Sequence, residues 1–133
     1  MAAAFTAREL DIMAVLWEHG PSTVAEVRAH LADPLSHNTV ATLLTILENK
    51  ERVDHIEEGR AFRYRPRVGR EEAGRSALSR IADTVFGGSA ESLLTHFVRD
   101  RRLSGDELAR IRAVLDERIE ADEARGRKRR KRS

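Results

Sequence analysis

The sequence predicts a mainly α-helical fold with one small β-hairpin, arranged as an N-terminal unit of helices plus hairpin and a C-terminal helical region. Three observations carry this expectation. Three Ser/Thr-x-x-Glu stretches read as helix openings, at Thr6–Glu9, Thr23–Glu26 and Ser104–Glu107. Apolar residues recur at spacings of three and four over most of the chain. Residues 53–65 instead alternate about Gly59, as strands of a hairpin do.

The elements follow in order. Thr6 caps a first helix with Leu10, Met13, Ala14 and Trp17 as its stripe, ending at His19-Gly20-Pro21. Thr23 caps a short second helix with Val24, Val27 and Leu31 inward, stopping near Asp33-Pro34. Ser36 caps a third, which runs to about Asn49-Lys50 with Val40, Leu43, Leu44 and Leu47 toward a core. Val53 to Glu57 form a strand, Glu57-Glu58-Gly59-Arg60 the turn, and Ala61 to Arg65 the return. Phe62 and Tyr64 share one face of that strand as inward anchors, and Arg63 and Arg65 share the other. Arg70 to Phe86 should be helical, with Ala73, Ala77, Leu78, Ile81, Ala82 and Val85 as its stripe, until Gly87-Gly88 breaks it. Ser89 restarts a short helix in which Leu93, Leu94 and Phe97 read as buried anchors. Ser104 opens a last helix whose narrow stripe is Leu108, Ile111, Leu115 and Ile119. The expected domains are 1–68, 69–124 and a disordered basic tail at 125–133, too charged to pack.

Composition narrows the function. The 133 residues are 41% hydrophobic and 35% charged, which suits a packed fold with a charged surface. With no cysteine, disulfides, thiolate metal sites and Cys nucleophiles are excluded. The five histidines, His19, His30, His37, His55 and His96, lack zinc-like spacing, so no metal is expected. Gly87-Gly88 lacks the following Lys-Ser or Lys-Thr of a phosphate loop, and no cofactor is expected. No nucleophile or carboxylate cluster argues for an enzyme. The start, Met1-Ala2-Ala3-Ala4-Phe5, lacks a basic leader, and no apolar run could insert in a membrane. A soluble cytoplasmic protein is expected.

Charge is unevenly spread. Residues 125–132 hold seven basic groups and no acid, so residues 1–124 are acidic overall, with 17 basic and 22 acidic groups. Within them, Arg60 to Arg80 hold seven Arg against two Glu. Positive potential thus gathers at the hairpin and the tail, where a polyanion would be drawn.

The third helix carries the functional argument. Opposite its apolar stripe lie His37, Asn38, Thr39, Ala41, Thr42 and Thr45, with Ser36 at the cap. A solvated face would carry Lys and Glu, whereas a helix in a DNA major groove needs compact hydrogen-bonding groups and methyls. Asn38 suits adenine, and the Thr39 and Thr42 methyls suit thymine. With two capped helices before it and an Arg-rich hairpin after it, the plan is that of a winged helix-turn-helix on double-stranded DNA. Arg60, Arg63 and Arg65 of the wing are then expected to face phosphates. The alternative is a winged-helix protein-interaction module whose helix face docks a partner protein. Leu78, Ile81, Val85, Leu93, Leu94, Phe97, Leu108, Ile111, Leu115 and Ile119 are more apolar surface than thin helices can hide, which predicts a homodimer. The basic tail reads equally as a nonspecific DNA arm or as a solubilising end.

Four stretches carry a family likeness: Thr6-Ala7-Arg8-Glu9-Leu10-Asp11-Ile12-Met13-Ala14-Val15-Leu16-Trp17, Asn38-Thr39-Val40-Ala41-Thr42-Leu43-Leu44, Glu58-Gly59-Arg60-Ala61-Phe62-Arg63-Tyr64 and Leu93-Leu94-Thr95-His96-Phe97-Val98. With them the chain resembles the penicillinase-repressor family of bacterial transcriptional regulators (BlaI/MecI/CopY type). The resemblance implies an N-terminal winged helix, a C-terminal helical dimerisation domain and repression at palindromic operators. It also implies release by proteolysis in the C-terminal domain, triggered by a membrane sensor of β-lactams. The bond cut in relatives joins Asn to Phe, and His96-Phe97 stands at the corresponding place here. Relatives often carry basic residues where this chain has Asn38, Ala41 and Ile46. Copper-responsive relatives carry C-terminal cysteines, and this chain has none.

Overall fold

The structure, a computed structural model, describes residues 5–132. Met1 to Ala4, where the leader reading fell, and Ser133 lie outside the described residues. In chain order the elements are α1 (Ala7–His19), β1 (Ser22–Thr23), α2 (Val24–His30), α3 (His37–Asn49), β2 (Val53–Glu58), β3 (Ala61–Pro66), α4 (Arg70–Thr84), α5 (Ala90–Asp100) and α6 (Gly105–Arg132).

Both N-terminal capping boxes form. Thr6 Oγ1 accepts the Glu9 amide at 3.1 Å, and Glu9 Oε1 accepts the Thr6 amide at 2.7 Å. Thr23 and Glu26 repeat the exchange at 3.2 and 3.1 Å. Ile12, Met13, Val15 and Leu16 of α1, Val27 of α2, and Val40, Leu44 and Leu47 of α3 close one core with Val53 and Tyr64. On α3 the observed face is the expected one, with Leu43 packed at its margin. On α1 it is not. Ala14 is exposed and Leu10 and Trp17 are half-buried, while Ile12, Val15 and Leu16 are inside. The reason is that α1 is apolar nearly all round from Leu10 to Trp17, so spacing alone cannot choose the face.

Glu9 is also buried, 2% exposed, and meets Lys50 Nζ at 3.0 Å. This pair fastens the start of α1 to the end of α3. Trp17 Nε1 donates to the Val68 carbonyl at 2.8 Å, tying α1 to the segment that precedes α4.

The hairpin is antiparallel with His55 opposite Tyr64 and Asp54 opposite Arg65. Gly59 takes φ +64° in a two-residue turn between paired Glu58 and Ala61, the place where a primed turn wants glycine. A third strand, β1, adds to the free edge of β3, giving the order β1-β3-β2. Ser22 and Thr23 do double work, pairing with Tyr64 and Arg63 while Thr23 caps α2.

The chain divides into two compact units at Gly88/Ser89, so α4 groups with the winged helix and the expected break at 68/69 moves past it. In the second unit Ser89 caps α5 through the Ser92 amide at 3.0 Å, and Ser104 caps α6 through the Glu107 amide at 3.0 Å. Neither helix has a buried residue. Leu93 is half-buried and Leu94 and Phe97 are exposed, which corrects their reading as buried anchors. The disordered tail is corrected too, because α6 runs through Arg132. Arg and Lys are good helix formers, and cations suit the negative end of the helix dipole. Asp122 bridges the junction, paired with Arg118 at 3.2 Å and with Arg125 one turn on.

Candidate nucleic-acid interface

Helix α3 is set from three sides. Val40, Leu44 and Leu47 are fully buried beneath it. Ser36 Oγ accepts the Thr39 amide at 3.1 Å and lies 2.8 Å from the Thr39 hydroxyl. Arg28 Nε donates to the Leu35 carbonyl at 2.8 Å, holding the turn between α2 and α3. The outer face is what remains. Ser36, His37, Asn38, Thr39, Thr42 and Thr45 are exposed and Ala41 is half-buried. No Lys, Arg, Asp or Glu stands between His37 and Leu47.

These residues do not offer the same chemistry. Ser36 and Thr39 spend their hydroxyls on the cap. Thr45 Oγ1 donates to the Ala41 carbonyl at 3.0 Å, so its methyl is what it presents. Asn38 and Thr42, four apart, share one ridge, and Asn49 continues it two turns further. Ile46, 39% exposed, flanks that ridge. Asn49 was missed as a face residue, although the i+7 step from Thr42 places it there, and Ile46, named among the positions where relatives are basic, lies at i+8 from Asn38. The ridge thus offers carboxamides, a hydroxyl and methyls, which are the groups that read base edges.

The wing departs from expectation. Arg63 is three-quarters shielded and pairs with Glu58 and, at 3.0 Å, with Glu26, while its guanidinium also donates to the Pro21 carbonyl at 3.0 Å. It therefore fastens β3 to the edge of α2. Arg65 grips Asp54 with two bonds, at 2.8 and 3.2 Å. The Arg63 guanidinium holds the Glu58 carboxyl below its ordinary value, and Arg65 does the same for Asp54. Glu26 is lowered first by the Thr23 amide and then by Arg63. Alternation put both arginines on the outer face correctly, but it could not show that carboxylates share that face. Arg60 sits exposed in the turn beside Gly59.

The opposite face of the wing is aromatic. Tyr64 is buried, and burial pushes its hydroxyl pKa up. Phe62 is 44% exposed and stacks on His55 at 4.2 Å, so it anchors the hairpin to itself rather than to the core. His55 Nδ1 lies 2.5 Å from Glu48 Oε2, which joins the wing to α3.

The residues expected to pair with a second chain lie open in a single one. Leu78, Ile81 and Val85 of α4 are exposed, as are Leu94 and Phe97 of α5 and Leu108, Leu115 and Ile119 of α6. Leu93 and Ile111 are half-buried. His96 and Phe97 are both exposed at mid-helix in α5. Among the described residues no cluster of three or more His, Asp or Glu could hold a metal ion, and no helix is long and apolar enough to cross a membrane.

Three helices, a hairpin on the edge of a three-stranded sheet and an uncharged polar face on the third helix define a winged-helix transcriptional regulator. The chain belongs to the penicillinase repressor family, whose profile matches residues 5–117. It is 28% identical over 111 residues to the penicillinase repressor of Bacillus licheniformis, across 82% of this chain and 87% of that one. It is 34% identical over 113 residues to the transcriptional regulator BlaI of Mycobacterium tuberculosis, across 82% and 80%. The solution structure of the DNA-binding domain of the repressor BlaI superposes with a TM-score of 0.48 at 30% identity, covering 54% of this chain and 93% of that domain. These relatives are a repressor and a transcriptional regulator.

Proposed function

We propose that this winged-helix repressor acts as a homodimer in the cytoplasm, each protomer seating α3 in the major groove of one half of a palindromic operator. One observation carries the reading: the exposed, uncharged ridge of Asn38, Thr42 and Asn49 on a helix rigidly held from beneath. Asn38 takes an adenine edge, and Thr42, Ala41 and the Thr45 methyl line the groove beside it. His37, Ser36 and Thr39 sit at the N-terminus of α3, where backbone amides favour a phosphate. On the wing Arg60 reaches the backbone, and Arg63 and Arg65 hold the hairpin in shape. The exposed apolar residues of α4, α5 and α6 are the dimer surface. Cleavage between His96 and Phe97, by a protease system answering a membrane sensor, would cut α6 from the DNA-binding unit and relieve repression.

The test begins with sheared genomic DNA passed over the immobilised protein, followed by sequencing of what it retains. A shared inverted repeat, bound more tightly than random duplex as salt rises, is the expected result. A chain that retains no duplex DNA, or retains all sequences equally, would leave the protein-interaction reading of the same face standing.

A further inference from the structure

We infer that the last turns of α6, Arg127 to Arg132, form a second DNA contact that grips phosphates without regard to sequence. The inference rests on the winged helix binding DNA, but on none of its residues. It also concerns a segment past residue 117, where the family match ends.

The charge of α6 is segregated. From Ser104 to Ala124 there are seven acids and three Arg, and from Arg125 to Arg132 seven basic residues and no acid. Arg125 is taken up by Asp122. After Gly126, the six residues Arg127 to Arg132 are all cationic and all helical. At 100° per residue they point in every direction round the axis, so they form no face and cannot align with base edges. At about 1.5 Å rise per residue their charge density is close to that of duplex DNA, roughly one charge per 1.7 Å. The acids further back would hold the rest of α6 away from a polyanion, so that only this end can approach one. A membrane surface is a poorer match, since residues 125–132 include no apolar side chain to enter the lipid interface.

The same six cations repel one another. Arg127 faces Lys131, and Lys128 faces Arg132, at the i,i+4 spacing where like charges destabilise a helix. Phosphates lying against them remove that repulsion. DNA should therefore stiffen these turns as well as bind them.

The experiment uses the full chain and a variant carrying Arg127→Gln, Lys128→Gln, Arg129→Gln, Arg130→Gln, Lys131→Gln and Arg132→Gln. Gln keeps the helix propensity and removes the charge. Both are titrated onto random duplex and onto a retained operator over a range of salt. On random duplex the variant should bind roughly tenfold or more weakly at low salt, with a log–log salt slope shallower by about 3 to 5 per protomer. Its preference for operator over random DNA should rise. A companion in which the four arginines become lysines should behave like the parent, because charge alone is used. Amide exchange at residues 127–132 should slow when random duplex is added to the parent. An unchanged slope in the Gln variant overturns the inference, and so does a Lys companion that fails like the Gln one. Tighter binding of the parent to phosphatidylcholine vesicles containing phosphatidylserine than to random duplex, abolished in the Gln variant, would assign the segment to membranes instead. If the parent binds no DNA at any salt, the repressor reading itself falls.

Discussion

The two units solve the same problem in opposite ways. From Phe5 to Gly88, three helices and a small sheet bury a shared core around Leu16, Val27, Leu44 and Tyr64. From Ser89 on, two amphipathic helices have no fully buried residue, and Phe97, Leu115 and Ile119 stay about half exposed. Both have apolar stripes at helical spacing. The first has enough elements to wrap the stripes of α1, α2 and α3, leaving Leu78, Ile81 and Val85 at and after the end of α4 open, whereas two helices cannot cover each other on all the sides that need it. The first unit should therefore have a stability of its own, and the second should depend on concentration.

The sharpest way to break this contrast is to truncate one leucine in each unit. Leu44→Ala should cost about 2–5 kcal/mol of unfolding free energy, because α3 loses the centre of its contact with the core. Thermal denaturation followed by circular dichroism would show it. Leu115→Ala should leave that transition in place and shift the monomer–dimer equilibrium in sedimentation toward monomer. A Leu115→Ala protein whose winged helix melts as early as that of Leu44→Ala would show that the units are not separable.

A second contrast lies within the first unit, between groups that read and groups that hold. Asn38→Ala should cost roughly 1–3 kcal/mol per half-site on operator and little on random duplex. Arg60→Ala should weaken both DNAs and lower the salt slope by about one per protomer. Arg63→Ala should instead lower the melting temperature, since it frees β3 from Glu26, Glu58 and Pro21. Band shifts and melts of the same three proteins separate these outcomes.

How far the sequence reaches is clear from these residues. The α3 stripe was legible because one apolar residue follows another at a single helical period with polar residues between. The outer face was legible for the same reason, by subtraction. Ser22-Thr23 was not, because two residues of strand leave no period to detect, and Thr23 already looked like a helix cap. The roles of Arg63 and Arg65 were hidden because alternation assigns a face but not a partner. Glu26 comes from α2, and Glu58 and Asp54 become partners only once the hairpin register sets them beside Arg63 and Arg65. The helical end of α6 was obscured by composition: a run of cations reads as unfolded unless the helix before it can carry it on.

Glu9 allows a test by pH. Burial pushes its carboxyl up, but the Thr6 amide and Lys50 outweigh that and hold it below its ordinary 4.5. Its contribution to stability is thus complete above about pH 4.5 and is lost as pH falls through the lowered value of the folded state. Glu9→Gln should cost about 1–2 kcal/mol at neutral pH, since Lys50 loses its buried partner. The parent and the variant should then converge in acid. Urea midpoints measured from neutral pH downward would show the gap closing, and a gap that stays constant would mean that Lys50 contributes nothing through charge.

The smallest expected effect sits at the end of α3. Arg52 N donates to the Leu47 carbonyl and Glu51 N to the Glu48 carbonyl, both at 2.9 Å, closing the helix in a loop that turns the chain into β2. To make that turn Glu51 adopts φ +61°, among the described residues the only non-glycine at positive φ. An L side chain in the left-handed region costs about 1 kcal/mol or more, and helix ends of this form usually carry glycine. Glu51→Gly relieves that strain but gives the unfolded chain more freedom, which offsets part of the gain. The net expectation is about 0.5–1 kcal/mol of added stability, a rise of a few degrees in the melting transition of the winged-helix unit. Glu51→Ala keeps the Cβ and the strain, so it should give no such rise. Because the residue is exposed and remote from α5 and α6 in sequence, the dimer equilibrium should not move in either variant. If glycine stabilises no more than alanine, the backbone here is unstrained and the core of the first unit already carries the turn.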